Sequence, residues 1–439
     1  MTEKKSILRS MVRFSVPYLI ACFLQTFYGL ADLFITGQFN GAASISAVAI
    51  GSQMMHMLTV IIVGLAMGST VLIGQRLGAG DEPGIRRNIV STVRVFSLFA
   101  VLATGLLLLA HGLILRLLST PEEAMVEARR YLVICFIGIP FITAYNVISS
   151  IFRGLGDTKK PMIFVAIAGV INVVLDYLLI GPLRMGAMGA ALATVISQAG
   201  SVLMALLAMG RMKGMVRISR GDMKAPGQGG KILAIGGPIA LQDGLIQISF
   251  LVITAIANSR GVDVAAAVGI VEKIISFLFL VPSAMLSTVS ALSAQNAGAG
   301  THQRSRAILG AACLFCGIYG AVIFLICQFA SADIVSWFVK DSEAVVRLGG
   351  QYLKSYALDC IFAGWHFCFS GFFTAYGRSL YSFIHNIISV VAVRIPGAYL
   401  ASVYFPLTLY PMGLAAPLGS LLSVLICLFL YKRQRWDHL

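Results

Sequence analysis

The chain has 439 residues, 58% of them hydrophobic and only 12% charged, with a mean hydropathy of +0.88. A soluble domain carries about 25% charged residues to cover its surface, which excludes a water-soluble globule. The formal charge of +15 invites a nucleic-acid reading, but most Lys and Arg fall in alternate inter-helix segments; that bias is topological, and no nucleic-acid partner is expected.

Apolar runs of about 20 residues, the length that crosses a hydrocarbon core, recur from end to end. They predict helices near 14–36, 47–73, 90–111, 131–152, 161–181, 187–209, 232–257, 264–290, 306–329, 352–375, 381–403 and 411–431. The expected fold class is therefore an all-α polytopic membrane protein with twelve transmembrane helices and both termini cytoplasmic, placed in the cell (cytoplasmic) membrane. No ten-residue apolar–polar alternation of a β-barrel occurs. The basic start MTEKKSILRS is read as the lead into a retained first helix, because the run that follows is too long for a signal peptide and carries Asp32. All eight cysteines fall in apolar runs, including the CxxC of Cys313 and Cys316, and read as small packing residues.

Landmarks recur at nearly constant distance. Pro17 matches Pro238, Gly80 of GQRLGAGD matches Gly300 of AQNAGAGT, and Gly156 of IFRGLGD matches Gly377 of FFTAYGR, at an offset of 220–221. Residues 1–210 thus form an N-lobe of six helices and 232–439 a C-lobe of six, joined by a Gly-rich, basic linker at 211–231. Six is even, so the repeats enter the membrane in the same direction and are pseudo-symmetric about the membrane normal, with a cavity expected between them. Such repeats are the design of a secondary transporter; a channel or receptor does not require them. No GxxxxGK[ST] occurs, so an ion gradient is the expected energy source, no cofactor is implied and no enzyme is expected.

Within the apolar runs, polar side chains cluster in the first half. Asn172 and Asp176 are i and i+4 and share a helix face; Gln25 and Asp32 share a face of the first helix with Tyr28 between them. Asn146 and Thr194 lie near the middles of their helices. A carboxylate in mid-membrane costs roughly 2.5–3.5 kcal/mol on insertion scales, so its retention needs a reason. The repeat acts as a control: Asp32 aligns with Ile253, Asn172 with Val393 and Asp176 with Gly397. Asp32 and Asp176 therefore have no counterpart in the second half. If the stripes converge, they build a small oxygen-lined pocket holding two carboxylates, where burial and mutual repulsion favour uptake of a cation, which makes H⁺ or Na⁺ the expected coupling ion. In the second half Asp243 and Gln247, then Asp359 and His366, share faces. Asp359 is expected about two turns into its helix. Glu272, Lys273 and Arg394 add charge, and these residues are candidates for gating, structure or substrate contact. His56 and His385 read as hydrogen-bonded packing residues.

The segments YGLADLFITGQ, GQRLGAGD, FRGLGDTKKPM and NVVLDYLLIGPLRMGAMGAALATVISQ resemble the multidrug and toxic compound extrusion (MATE) transporters, over nearly the whole chain. Within that family the sequence is similar to the DinF-type bacterial branch. The resemblance implies a cation site at Asp32, Asp176, Asn172 and Thr194, with Gln25, Tyr28, Tyr131 and Asn146 in the polar pocket. It implies small organic substrates, amphipathic and often cationic, exchanged for H⁺ or Na⁺ by a monomer in the lipid bilayer. No metal is implied beyond Na⁺ at the two aspartates. The NorM-type pairing of a helix 7 glutamate with a later helix 10 aspartate has no match. The alternative is a flippase of lipid-linked precursors, which would line its cavity with more basic residues than Arg394 and Lys273.

Overall fold

The computed structural model describes residues 2–118, 120–212, 218–224, 226–339, 342–434 and 436, with side chains from Ser6 onward. Every regular element among them is helical. In chain order these are α1 (Thr2–Phe39), α2 (Ala42–Gly78), α3 (Glu82–Leu117), α4 (Glu122–Ile137), α5 (Ile139–Gly154), α6 (Lys159–Ile180), α7 (Gly186–Gly210) and the short α8 (Arg220–Lys224). Then follow α9 (Gly229–Asn258), α10 (Val262–Leu278), α11 (Leu280–Gly298), α12 (His302–Ser336), α13 (Glu343–Tyr356), α14 (Asp359–Ala375) and α15 (Ser379–Ser389). A π-helical turn (Val390–Arg394) leads into α16 (Ile395–Tyr404), and α17 (Tyr410–Arg433) closes the chain.

Among the described residues, ten spans, some built of consecutive helices, are long and apolar enough to cross a membrane, and the bent pair α4–α5 makes an eleventh. That pair turns by 48° at Gly138. Pro140, at the start of α5, removes an amide donor and crowds the preceding turn, which ends α4 there. Helices α13 and α14 have 14 and 17 residues, each too short alone for a hydrocarbon core of about 30 Å. Several helices overrun their apolar windows. Thus α1 begins at Thr2 rather than near 14, because hydropathy marks the span whereas helix-forming polar residues continue the helix past it.

The chain divides into two compact units, Val16–Gly236 and Gly237–Leu439, the latter joined by Ser15 and the residues before it. In the first unit α2 lies against α4, α5 and α3, and α6 runs along α7. A Cβ at Gly68 of α2 would meet the Ile232 carbonyl oxygen at 2.1 Å, and one at Gly236 would meet that of Leu65 at 2.0 Å, so α2 and the start of α9 cross on bare glycine. The linker is held to α3 at two points: in α8 by Asp222, whose Oδ2 lies 3.3 Å from Arg86 Nε, and just before α9 by the Gln228 backbone amide, which donates to Ser91 Oγ at 2.9 Å. Residues 213–217 and 225 of the linker lie outside the described set. In the second unit α14 packs against α11 and α12, and α17 against α13 and α14. There Cys316 Sγ lies 3.7 Å from Cys368 Sγ, and all eight cysteines are free thiols.

The repeat is visible in the backbone. After α2, Gly80 has φ +69°, the Gly80 amide donates to Leu77 O, and the Asp81 amide to Arg76 O. After α11, Gly300 has φ +70°, with the same two bonds to Ala297 and Asn296. Gly156 (φ +84°) and Gly377 (φ +71°) close α5 and α14 in the same way. This is a glycine-terminated helix end in which the left-handed residue lets two trailing amides cap otherwise unpaired carbonyls.

Candidate functional site

Asp32 of α1 is 3% exposed, and Asn172 and Asp176 of α6 are fully buried. The i, i+4 spacing puts Asn172 and Asp176 on one face, and that face meets Asp32: the carboxyl of Asp32 adjoins those of Asp176 and the Asn172 carboxamide. From α7, the Thr194 hydroxyl donates to Asp32 Oδ2 at 3.4 Å, a long bond. Thr36 Oγ1 donates to the Asp32 carbonyl at 2.7 Å, which fixes the local helix turn. No donor reaches Asp32 Oδ1, either oxygen of Asp176, or the oxygen of Asn172, and the Asn172 amide nitrogen is unpaired too. Each such orphan costs about 1–3 kcal/mol. Two ionised carboxylates have no proton to share, so the arrangement is costly as it stands. A single proton or a small cation among these oxygens removes most of that cost.

Two tyrosines border this cluster. Tyr28 OH accepts from Gln198 Nε2 at 3.2 Å, and Tyr131, 2% exposed, shares a 3.0 Å hydrogen bond with Ser52 Oγ. Both lie within electrostatic reach of Asp32. Gln25 and Asn146 are not among the side chains that meet at the aspartate pair. Gln25 and Asn146 line a separate cavity of about 30 Å³ with Tyr18, Tyr145, Arg153 and Thr158. Asn146 Nδ2 donates back to Ile142 O at 2.8 Å, so its amide serves its own helix. Sequence reading missed Arg153, which is 4% exposed and stacks on the Tyr18 ring at 5.3 Å. The signal was present: an arginine one residue before the glycine-rich helix end, in a span otherwise without charge.

Among the second-half candidates, Asp359 is the first residue of α14, not two turns inside a helix. The helix is interrupted by a turn at 357–358, and an acid in a first turn is where the helix dipole favours it. Asp359 is fully buried with neither oxygen bonded. Arg394 ends the π turn; its Nη2 donates to Tyr356 OH at 2.6 Å and its guanidinium lies over the Phe250 ring at 4.8 Å. Asp359 and Glu272 are within its electrostatic reach, yet no described carboxylate comes within 4 Å of it. Glu272 Oε2 accepts from Thr254 at 2.9 Å, and Lys273 is exposed. Asp243 and Gln247 are half-buried on α9 and join no cluster; of the two fully buried polar side chains on α9, Gln242 and Ser249, Gln242 has both amide atoms unpaired. His385 Nε2 pairs with Ser370 Oγ at 2.8 Å, whereas His56 is exposed. The mates of the first-half acids are apolar: Ile253 sits in a hydrophobic cluster, and Gly397 lies close to Ala415.

The MatE family profile matches residues 17–178 and 238–400. Over 438 residues the chain is 32% identical to the probable multidrug resistance protein YpnP of Bacillus subtilis, spanning 98% of this chain and 96% of that one. It is 24% identical over 377 residues to DNA damage-inducible protein F of Escherichia coli, spanning 84% and 81%. Among solved structures, a MATE protein in a bent conformation superposes with a TM-score of 0.90 at 21% identity, over 99% of this chain and 96% of that one. The two profile matches open at Pro17 and Pro238, the repeated pair of helix prolines. The duplicated helical units and this relationship along the full length agree: the chain belongs to the MatE family of multidrug and toxic compound extrusion transporters.

Proposed function

We propose that the chain is a secondary active antiporter of the cytoplasmic membrane, exporting amphipathic, cationic organic compounds in exchange for inward H⁺ or Na⁺ by alternating access. The observation that carries this reading is the Asp32–Asp176 pair, buried with three carboxylate oxygens lacking donors. Asp32, Asp176, Asn172 and Thr194 bind the coupling ion; Tyr28 and Tyr131 border it. A proton between the carboxyls supplies the missing donor, and Na⁺ instead takes carboxylate, amide and hydroxyl oxygens. Each charge moved across 100 mV carries roughly 2.3 kcal/mol, enough to bias a few-kilocalorie conformational equilibrium. The multidrug resistance named for the YpnP relative supports the substrate class.

The topology proposed with it has twelve spans, α13 and α14 together forming the interrupted tenth, with both termini cytoplasmic and the protein monomeric. Residues 1–210 and 232–439 act as the two lobes and 211–231 as the link. The test is dye efflux from proteoliposomes under separately imposed pH and Na⁺ gradients. Wild type is expected to respond to one of them, and Asp32→Asn and Asp176→Asn to lose at least nine-tenths of that response, about 1.4 kcal/mol or more, while folding normally. Gradient-driven efflux at the wild-type rate in both variants would falsify the assignment.

A further inference from the structure

We infer that the small cavity beside Arg153 is a binding site for one oxyanion head, a carboxylate or phosphate, gripped by the guanidinium edge formed by Nε and Nη2. The guanidinium is 4% exposed, and these two nitrogens have no hydrogen-bond partner. They are the adjacent donors of the side-on fork that matches two oxygens of one carboxylate or phosphate. The guanidinium carbon lies over the Tyr18 ring, 5.3 Å from its centroid, a contact that uses neither of these two donors in a hydrogen bond. No described carboxylate forms an ion pair with it. The nearest acid in sequence, Asp157, is already engaged: its Oδ1 accepts from the Lys159 and Lys160 amides, and its Oδ2 lies 3.0 Å from Lys160 Nζ.

The space in front of Arg153 is bounded by Tyr18, Gln25, Tyr145, Asn146 and Thr158 and measures about 30 Å³. At about 10–15 Å³ per water position, that is two oxygen-sized places, the count a bidentate fork requires. It is far below the roughly 300 Å³ or more of a drug-sized site, so only the head of an anion enters. The repeat again serves as control. Arg153 aligns with Thr374, which is fully buried and donates to its own helix at Ser370 O, 2.7 Å away. The same helix end therefore forms in the second unit without a guanidinium. This site does not rest on the antiport reading, because it concerns binding and not transport.

The test uses the full-length purified chain. In one arm, thermal melting in detergent is followed against acetate and inorganic phosphate, with chloride at matched ionic strength as reference. In the other, native mass spectrometry counts phosphatidylglycerol retained from mixed phosphatidylglycerol–phosphatidylcholine nanodiscs. Wild type is expected to gain thermal stability with oxyanion over chloride if the source is free, or to retain phosphatidylglycerol selectively if it is a lipid. Arg153→Gln should abolish the effect, and Arg153→Lys, which keeps the charge but loses the fork, should raise the half-saturating concentration at least tenfold. If Arg153→Gln does not fold, the Lys variant decides alone. Equal responses in wild type and variants, or no response of wild type in either arm, overturn the site and leave Arg153 as a ring-stacked structural residue.

Discussion

Asp32 Oδ1 and both oxygens of Asp176 are buried without a donor, and the side chains nearest them differ in how much they supply. Thr194 offers one hydroxyl at 3.4 Å, a distance at which a hydrogen bond is worth the lower end of about 0.5–1.5 kcal/mol. Thr194→Ala is therefore expected to weaken coupling-ion affinity by only about two- to fivefold, read as a shift of the half-activating ion concentration in efflux assays; total loss would make the hydroxyl an essential donor. Asp359 is different. The Arg394 cation lies within its electrostatic reach, so this corner already holds positive charge and has no need of an imported one. Asp359→Asn should leave more than half of gradient-driven efflux, and complete loss would move the coupling role to the second unit. At this scale the sequence was legible where spacing determines geometry: the i, i+4 pair and its partner in α1 meet. It was not legible for Gln25 and Asn146, because which face of a helix meets which neighbour depends on packing that polarity alone does not encode. Arg153 escaped notice because a helix-end arginine looks interfacial until its burial is known.

Among the elements, the clearest local rule is the glycine-closed helix end. Gly80 and Gly300 hold φ near +70° with the same pair of capping bonds, and a Cβ added at either meets nothing within 4 Å. The cost of substitution is thus purely that of the left-handed backbone, about 1–2 kcal/mol. Gly80→Ala and Gly300→Ala should lower thermal stability equally within error, whereas unequal effects would show that the two ends are not the same motif. Asp222 anchors α8 to α3, and hydrogen bonds from the Ser219 amide and hydroxyl, then Arg86, hold its carboxyl below the usual range. A depressed value means the contact is complete above about pH 4, the ordinary carboxylate value, and is lost as pH falls through the lower folded value. Asp222→Asn should accordingly raise amide exchange across 219–224 several-fold at neutral pH, with the difference from wild type shrinking only as pH falls below the ordinary carboxylate range. The turn glycines were readable in the sequence. The bend at Gly138, although Pro140 makes it, and the break before Asp359 were not read, because the helices were predicted from hydropathy, which is blind to interruptions within an apolar run.

On the scale of the whole chain, duplication was written in the residues, and the two family-profile matches fall on the two copies; the proposed orientation rests on the alternating bias of Lys and Arg. Single cysteines placed in the linker and at the C-terminus of a cysteine-free variant should react with membrane-impermeant maleimide only after permeabilisation of whole cells, as cytoplasmic sites do. Labelling of either in intact cells would invert the topology. The π turn at Val390–Arg394 carries a further consequence. It fits one extra residue into a turn, so everything after it is rotated by about 100°, one residue's share of a 3.6-residue turn, relative to an uninterrupted helix. Gly397 is the partner of Asp176 by counting along the chain but not by direction in space. Grafting an aspartate there would not build a second ion site; it would aim the carboxylate at a different neighbour. The two halves therefore share a text but have fallen out of phase, and symmetry drawn from the alphabet alone stops at that turn.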